Sequence, residues 1–506
     1  MQQHGIGAWV AKRRLKSPDQ IAIIHDRSPL TYGQFADATD RISAVLRERG
    51  VGKGDSVAYL GENSPELLQV MFAAAQVGAV FVPINTRLAA PEIAYVLADC
   101  GARVLIHDPD FAVPVAAAVS AVRTPCVIVN GAGTADRPGL AHLTPAVAGF
   151  TDHADNTLDD PAAIIYTSGT TGRAKGAVLT HGNLTWVALN CVVDYDVVST
   201  DVALMISPLF HVASLGMGAL PVILKGATMV IEKGFEPGRA LAQIERYGVT
   251  MLSGVPTTYQ LMADHPAWAS TDLSTLTKLT CGGSAVPARI LNAYEERGLS
   301  FSQGYGMTEA APGATALPPA MTRVKQGSVG LPHFFTDVRI TDAAGAVVPT
   351  GVVGEIEVAG PNVFPGYHGL AEATAEAFTA DGWFRSGDLG HLDADGYLYV
   401  TGRLKDMIIS GGENIYPLEL EQLLTEVDGV TSAAVIGVPD ERWGEVPWAI
   451  VTVREGASVD TATIRARLDG RIARYKLPKN VVIVDELPRT ASGKVRKADL
   501  RARFGA

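Results

Sequence analysis

Residues 166–176 read YTSGTTGRAKG and concentrate the most reactive-looking chemistry of the chain. Thr167, Ser168, Thr170 and Thr171 supply four hydroxyls, Gly169, Gly172 and Gly176 supply backbone freedom, and Lys175 supplies a fixed positive charge. The apolar run Ala162-Ala163-Ile164-Ile165-Tyr166 leads in, as a buried strand does. Glycines let successive backbone N–H groups turn toward one point and hydroxyls add donors, so such a loop suits a polyphosphate. It is not the common nucleotide loop, because GxxxxGK[ST] is absent and the lysine follows Gly172 by three residues. A solvated surface loop draws on the same residue types. Four hydroxyls and a lysine placed directly after a buried strand favour phosphate.

Four further segments could do chemistry. In Gln303-Gly304-Tyr305-Gly306-Met307-Thr308-Glu309, Tyr305 offers a face for stacking adenine, Thr308 a hydroxyl for phosphate, and Glu309 a hard oxygen suited to Mg²⁺. The GxG within it lacks the third glycine of a dinucleotide fingerprint, and a plain turn with a surface glutamate is the simpler alternative. Leu279-Thr280-Cys281-Gly282-Gly283-Ser284-Ala285 reads as a strand ending in a glycine pair, where backbone can approach a planar ring or merely turn into a helix. Asp388, after Arg385-Ser386-Gly387, can accept two ribose hydroxyls, although an Asp after Gly is also a routine turn residue. His211 follows Pro208-Leu209-Phe210, and a single His beside an apolar run is more often packed than catalytic. Ala213, Gly216 and Gly218 nearby suit a pocket wall or close helix packing. Asp393-Ala394-Asp395-Gly396-Tyr397 reads as a hairpin turn, since it lacks the ligand series of a calcium loop.

These segments, taken in chain order, resemble the motifs of the adenylate-forming enzymes: acyl-CoA synthetases, aryl-CoA ligases, peptide-synthetase adenylation domains and firefly-type luciferases. The loop departs from that pattern at Ala174, where many members carry proline. The resemblance covers nearly the whole chain and implies a role for each segment. Thr167, Ser168, Gly169, Thr170, Thr171, Gly172 and Lys175, with Thr308, would hold the β- and γ-phosphates of ATP. Gly283, Ser284 and Ala285 would lie against adenine and the acyl chain, and Gly304, Tyr305, Gly306 and Met307 would bind the nucleotide, with Tyr305 stacking on adenine. Asp388 and Arg403 match the ribose-contacting positions, and His211 the residue beside the substrate carboxylate. Glu309, with Thr167, would hold Mg²⁺. Lys494, in the C-terminal Ser492-Gly493-Lys494, matches the catalytic lysine that bridges the carboxylate and the α-phosphate, and Arg496 and Lys497 beside it are candidates for CoA phosphates. Lys405 matches the hinge about which a small domain turns between half-reactions. Ser410, Gly411 and Gly412 would then line the CoA tunnel.

The implied activity is acyl-CoA synthesis through an acyl-adenylate, with ATP, Mg²⁺ and CoA. The wording NTRLAAPEIAYVLAD and LKDMIISGGENIYP is most similar to bacterial fatty-acyl and feruloyl-type CoA ligases. It puts an apolar fatty acid of medium to long chain first and a hydroxycinnamic acid close behind. An enzyme that loads its acyl group onto a carrier protein is the second alternative. A non-catalytic nucleotide-binding scaffold is disfavoured by the presence of Glu309 and Lys494.

The elements that must position these residues are α/β. In residues 30–63, Thr31 and Gln34 form a capping box, Phe35, Ala38, Ile42, Val45 and Leu46 mark one helical face, and 57–60 reads as a buried strand. Ser64 and Pro65 open a second helix running to about residue 77, and a third runs from about 91 to 99 before a strand at 103–107. Such alternation implies layered α/β subdomains with largely parallel sheets. We expect a large N-terminal domain, 1–402, and a smaller mobile α+β domain, 403–506. With 506 residues, 47% hydrophobic and 19% charged, the chain is of the globular class. Its net charge of −11 argues against general nucleic-acid binding, and no apolar run is long enough to span a bilayer. The N-terminus lacks the apolar region of a secretory signal, and Cys100, Cys126, Cys191 and Cys281 are scattered as buried free thiols of a cytoplasmic protein are. The oligomeric state stays open, a homodimer included.

Overall fold

The computed structural model describes residues 5–122, 126–134, 137–143, 149–167, 173–283, 286–410, 413–454, 456–457, 459–468, 471–490 and 494–505. The chain divides into two compact units: Met1–Asp337 with Val358–Phe384, and Val338–Glu357 with Arg385–Ala506.

Local signals set the first unit's opening helices. Thr31 caps Tyr32–Glu48 by accepting from the Gln34 N–H while the Gln34 side chain accepts from Thr31 N, so the capping box is complete. Ser64 caps Pro65–Val77 by accepting from the Leu67 N–H, and Gly78, at φ +77°, ends it in the left-handed conformation that glycine tolerates. These helices bury Phe35 against Phe72 edge to face, with ring centroids 6.0 Å apart. Asp40 is buried between them and is matched by Arg14 at 2.8 Å and by the Gln76 amide at 3.1 Å. The third helix, Ala90–Asp99, starts one residue earlier than its sequence suggests, because the Glu92 carboxylate accepts from Ala89 N.

Two large sheets carry this unit. One sets Pro161–Thr167, Val80–Pro83, Ser56–Leu60, Ala102–His107 and Cys126–Val129 in parallel. Lys175–Thr180 and then Gly366–Tyr367 extend it antiparallel beyond Pro161–Thr167. The other sets Phe301–Gly306, Lys278–Cys281, Met251–Gly254, Val202–Met205, Thr228–Ile231 and Ile21–His25 in parallel. Gly313–Leu317, Leu331–Pro332 and Ser28–Thr31 form its antiparallel margins. In α/β sheets ligands gather beyond the carboxyl ends of parallel strands. Thr167, the glycine pair after Cys281, Gly306 and the segment leading to His211 all lie at such ends.

The second unit holds most of a four-stranded sheet made of Asp337–Thr341, Gly354–Ala359, Phe384–Leu392 and Leu398–Arg403. The link 393–397 is the expected hairpin turn: Asp393 N donates to Tyr397 O, and the Asp393 carboxylate accepts from the N–H groups of Asp395 and Tyr397. A five-stranded sheet follows, Glu413–Ile415, Ile408–Ser410, Gly444–Val453 and Val430–Asp440 in order, with Asn480–Ile483 parallel to Gly444–Val453. Helices Pro417–Thr425 and Thr461–Leu468 bury Leu420, Leu424 and Ile464 with Val435 and Val451 of that sheet. The thiols are free; Cys100, Cys191 and Cys281 are buried, and Cys126 is only half-buried because it sits on an edge strand. Among the described residues no helix is long and apolar enough to cross a membrane.

Losing the Thr31 cap in Thr31→Ala is expected to cost about 1 kcal/mol and to lower the first thermal unfolding transition by roughly 2 °C, read by circular dichroism. An unchanged transition would show that the cap does not hold the helix.

Candidate active site

The loop at 166–176 is fixed at its two ends. Thr167 and Lys175 face each other across the antiparallel pair, and the Thr167 hydroxyl donates to Lys175 O at 3.4 Å. The Tyr95 hydroxyl donates to Ala174 O at 2.9 Å, and the Tyr166 hydroxyl to the Asp99 carboxylate at 2.6 Å. The two tyrosine rings meet edge to face, 6.4 Å apart. Burial, then the hydrogen bond to Asp99, raises the Tyr166 phenol far above its ordinary value, so it stays a donor. Ser168, Gly169, Thr170, Thr171 and Gly172 lie outside the described residues.

Beside Lys175 stands a residue that the sequence does not announce. Tyr367 pairs with Ala177 across the edge of the sheet, and Lys175 Nζ lies 5.0 Å from its ring centroid. Its hydroxyl donates to Glu309 Oε1 at 2.9 Å. Burial, reinforced by the Glu309 charge, raises this phenol as well and keeps it protonated. One aromatic side chain thus touches a cation through its face and a carboxylate through its edge. Lys175 and Glu309 thus meet through Tyr367, and Thr167 lies across the strand pair from Lys175.

Glu309 is held by its backbone. Phe364 N donates to Glu309 O, and the fully buried Asn362 donates its amide hydrogens to Ala310 O and Gly313 O at 2.8 and 2.7 Å. Gly304, Tyr305, Gly306, Met307 and Thr308 run into this turn half-buried along the strand end. Gly306 has no alternative: a Cβ there would lie 1.6 Å from Pro312 O. Gly283 adopts φ +85°, and Ser284 and Ala285 lie outside the described residues.

His211 leads into a π-helical turn, Ala213–Ala219, a distortion that recurs at functional sites. The buried Asn63 fixes the approach, donating to Ser207 O at 2.9 Å and accepting from Leu209 N at 2.7 Å. Gly216 lets this turn pack on Ala311, whose carbonyl would sit 2.5 Å from a Cβ, and Gly218 lies against Met205. Close packing therefore explains both glycines, and Gly218 also lines a cavity of about 20 Å³ with Met205, Met217, Met251, Ser207, Ser214 and Ser253. Asn63, Asn362 and Tyr367 were missed from sequence; each acts through partners distant in the chain and has no local pattern.

In the second unit Asp388 and Arg403 are directly opposed across their strands and joined at 2.9 Å, with Asp388 buried. Lys405 lies in the turn Leu404–Asp406, which Arg501 ties down through Asp406 at 2.7 Å. Partial desolvation, then the like charge of Arg403, lowers the Lys405 ammonium. Ser410 is buried in Ile408–Ser410, and Gly411 and Gly412 lie outside the described residues. Lys494 closes a turn in which Thr490 N donates to Lys494 O and Lys494 N to the Thr490 hydroxyl. Lys497 is ion-paired with Glu421 at 2.7 Å, so its charge is already matched.

A family model described as AMP-binding enzyme matches residues 10–368, and one described as AMP-binding enzyme C-terminal domain matches residues 419–494. The chain belongs to the AMP-binding enzyme family. It is similar to a feruloyl-CoA synthase of an Amycolatopsis species, with 49% identity covering 100% of both chains. It is also similar to a long-chain-fatty-acid–CoA ligase of Mycobacterium tuberculosis, at 37% identity over 99% of both. Among solved structures, ATP-bound MatB from Rhodopseudomonas palustris superposes with a TM-score of 0.90 at 33% identity over 99% of each chain. Within this family the chain is an adenylate-forming acyl-CoA synthetase, an AMP-forming acid–thiol ligase.

Tyr367→Phe keeps the ring under Lys175 and removes only the bond to Glu309. Acid-dependent ATP–pyrophosphate exchange should fall roughly 10- to 100-fold, the worth of a hydrogen bond to a charged group. Exchange at the wild-type rate would show that Tyr367 does not position Glu309.

Proposed function

We propose that this enzyme activates a hydroxycinnamate-type aromatic acid with ATP and passes the acyl group to CoA. The observation that carries the adenylation is the seat formed by Lys175, Tyr367 and Glu309 at the carboxyl end of a parallel strand. It offers a cation and an oriented carboxylate to one polyphosphate. The aromatic acid is supported by the similarity to a feruloyl-CoA synthase at 49% identity, against 37% for the fatty-acid ligase. From sequence alone the fatty acid comes first; whole-length similarity favours the hydroxycinnamate alternative. The four free thiols fit a reducing compartment, which supports a cytoplasmic enzyme.

The chemistry is governed by charge, since an anionic carboxylate must approach an anionic phosphate. Lys175, Thr308 and the 166–172 segment hold the β- and γ-phosphates. Asp388 and Arg403 orient the ribose, and Tyr305 takes the adenine face. His211 aligns the carboxylate. The carboxylate oxygen attacks the α-phosphorus and pyrophosphate leaves, while Lys494 Nζ offsets the negative charge between the reacting groups. Among the described residues no three His, Cys, Asp or Glu side chains gather around a metal position. The donor set nevertheless fits Mg²⁺, which commonly takes one carboxylate and completes its shell with phosphate oxygens and water. Glu309 and Thr167 would hold the ion, which when bound neutralises phosphate charge. In the second half-reaction the backbone turns at Lys405, Ser410, Gly411 and Gly412 line the entry of CoA, and the thiol sulfur attacks the adenylate carbonyl. The thiol proton is lost and AMP leaves.

Lys494→Ala should lower adenylate formation by roughly 100-fold or more and largely spare thioester formation from supplied acyl-adenylate. Equal loss in both half-reactions would remove the lysine from the first step. In a CoA-consumption screen, kcat/KM for 4-hydroxy-3-methoxycinnamate should exceed that for saturated fatty acids of medium and long chain by roughly 100-fold. The reverse preference would restore the fatty acid as substrate.

A further inference from the structure

Three polar side chains beside the glycines of Phe301–Gly306 and Gly313–Leu317 take no part in the chemistry above. Helix His181–Asp194 ends in the first, Asp194, and the second, Tyr195, caps it. The third, His333, follows Leu331–Pro332, is completely buried, and donates its backbone N–H to Ala314 O at 3.0 Å.

The His333 Nδ1 lies 2.5 Å from the Asp194 carboxylate. A carboxylate only accepts, so Nδ1 carries the hydrogen, and in the tautomer this selects Nε2 presents a lone pair. That Nε2 is buried and has no hydrogen-bond partner among the described residues. An acceptor shut away from water without a donor is costly, and a ligand that supplies the donor removes the cost. Tyr195 packs edge to face on His333, with ring centroids 5.8 Å apart, and burial holds its phenol well above the ordinary value, so it is a hydrogen-bond donor.

Both groups reach bare backbone. A Cβ on Gly304 would lie 3.3 Å from the Tyr195 hydroxyl, and a Cβ on Gly313 would lie 2.8 Å from His333 Nε2. Met217 Cε comes within 3.5 Å of that same point over Gly313, and Met217 also lines the small cavity beyond His211. One flexible thioether therefore separates the imidazole nitrogen from the cavity. Side chains at 304 and 313 would seal off what the two glycines leave open.

We propose that Asp194, His333 and Tyr195 form the specificity end of the acid site and recognise a phenolic ring. The ring hydroxyl donates to His333 Nε2, the neighbouring ether oxygen accepts from the Tyr195 hydroxyl, and Met217 swings aside to admit the ring. Asp194 is a positioning residue that fixes the imidazole tautomer. The inference rests on the aromatic-acid reading above and adds which substituent is read and by which atoms.

The test compares kcat/KM for 4-hydroxy-3-methoxycinnamate, 3,4-dimethoxycinnamate and unsubstituted cinnamate in wild type, His333→Phe and Tyr195→Phe. Wild type should prefer the phenol over its dimethoxy analogue by roughly 10- to 100-fold. His333→Phe should collapse that ratio toward one, with unsubstituted cinnamate within about 3-fold of wild type. Tyr195→Phe, which removes a single oxygen, should lower the phenol by roughly 5- to 10-fold and also leave cinnamate alone. It carries the test by itself if His333→Phe does not fold. Equal losses on all three acids, or ratios that do not move, would overturn the inference and leave the aromatic-acid reading standing. A wild type that turns over fatty acids but none of the three would overturn that reading, and this inference with it.

Discussion

A cation and a carboxylate must stand close enough to serve one polyphosphate without neutralising each other. In this chain the ring of Tyr367 does that. Lys175 lies over its face and Glu309 accepts its hydroxyl hydrogen, and the two charges form no ion pair with each other among the described residues. The ring is a weak, oriented partner for each. A direct salt bridge would have matched the two charges to each other, and a ligand would have to break it before using either. Burial keeps the phenol protonated, so the arrangement persists across the neutral pH range.

The remainder of the first unit can be understood as what that arrangement requires. Gly366–Tyr367 must dock on Lys175–Thr180, which places residue 367 beside residue 175 although 192 positions separate them. The Glu309 turn must be held from behind, which Asn362 does by donating to the carbonyls of Ala310 and Gly313 that follow it. Gly306 must lack a side chain for the turn to close on Pro312. The His211 turn then packs on the same segment through Gly216. Each contact is individually modest, and together they fix a few polar atoms at the open ends of parallel strands, where the layered architecture leaves room for a ligand.

What could be read from sequence divides along the range of the interaction. Helix starts at Thr31 and Ser64, the helix end near residue 77 and the turn at Asp393 are written in four or five neighbouring residues, and they fold as read. The glycine- and hydroxyl-rich segments are legible for the same reason, since a loop that wraps phosphate is local chemistry. Tyr367, Asn63 and Asn362 are not legible, because a tyrosine in Pro-Gly-Tyr-His or an asparagine before a capping serine has many ordinary explanations. Only the pairing of distant strands gives them partners. His333 and Asp194 belong to the same class: 139 residues apart, they become a dyad only when the end of one helix meets the strand margin. Where local residues allow two structures, as at Gly216 and Gly218, packing decides, and here it chooses close approach of helix and turn.

The most direct measurement is a crystal structure of the enzyme grown with ATP and Mg²⁺. The account predicts the β- and γ-phosphate oxygens within about 3 Å of Lys175 Nζ, on the side of the strand end where Glu309 still accepts from Tyr367. A triphosphate seated away from Lys175, or a Glu309 that has left Tyr367 to pair with Lys175, would contradict it.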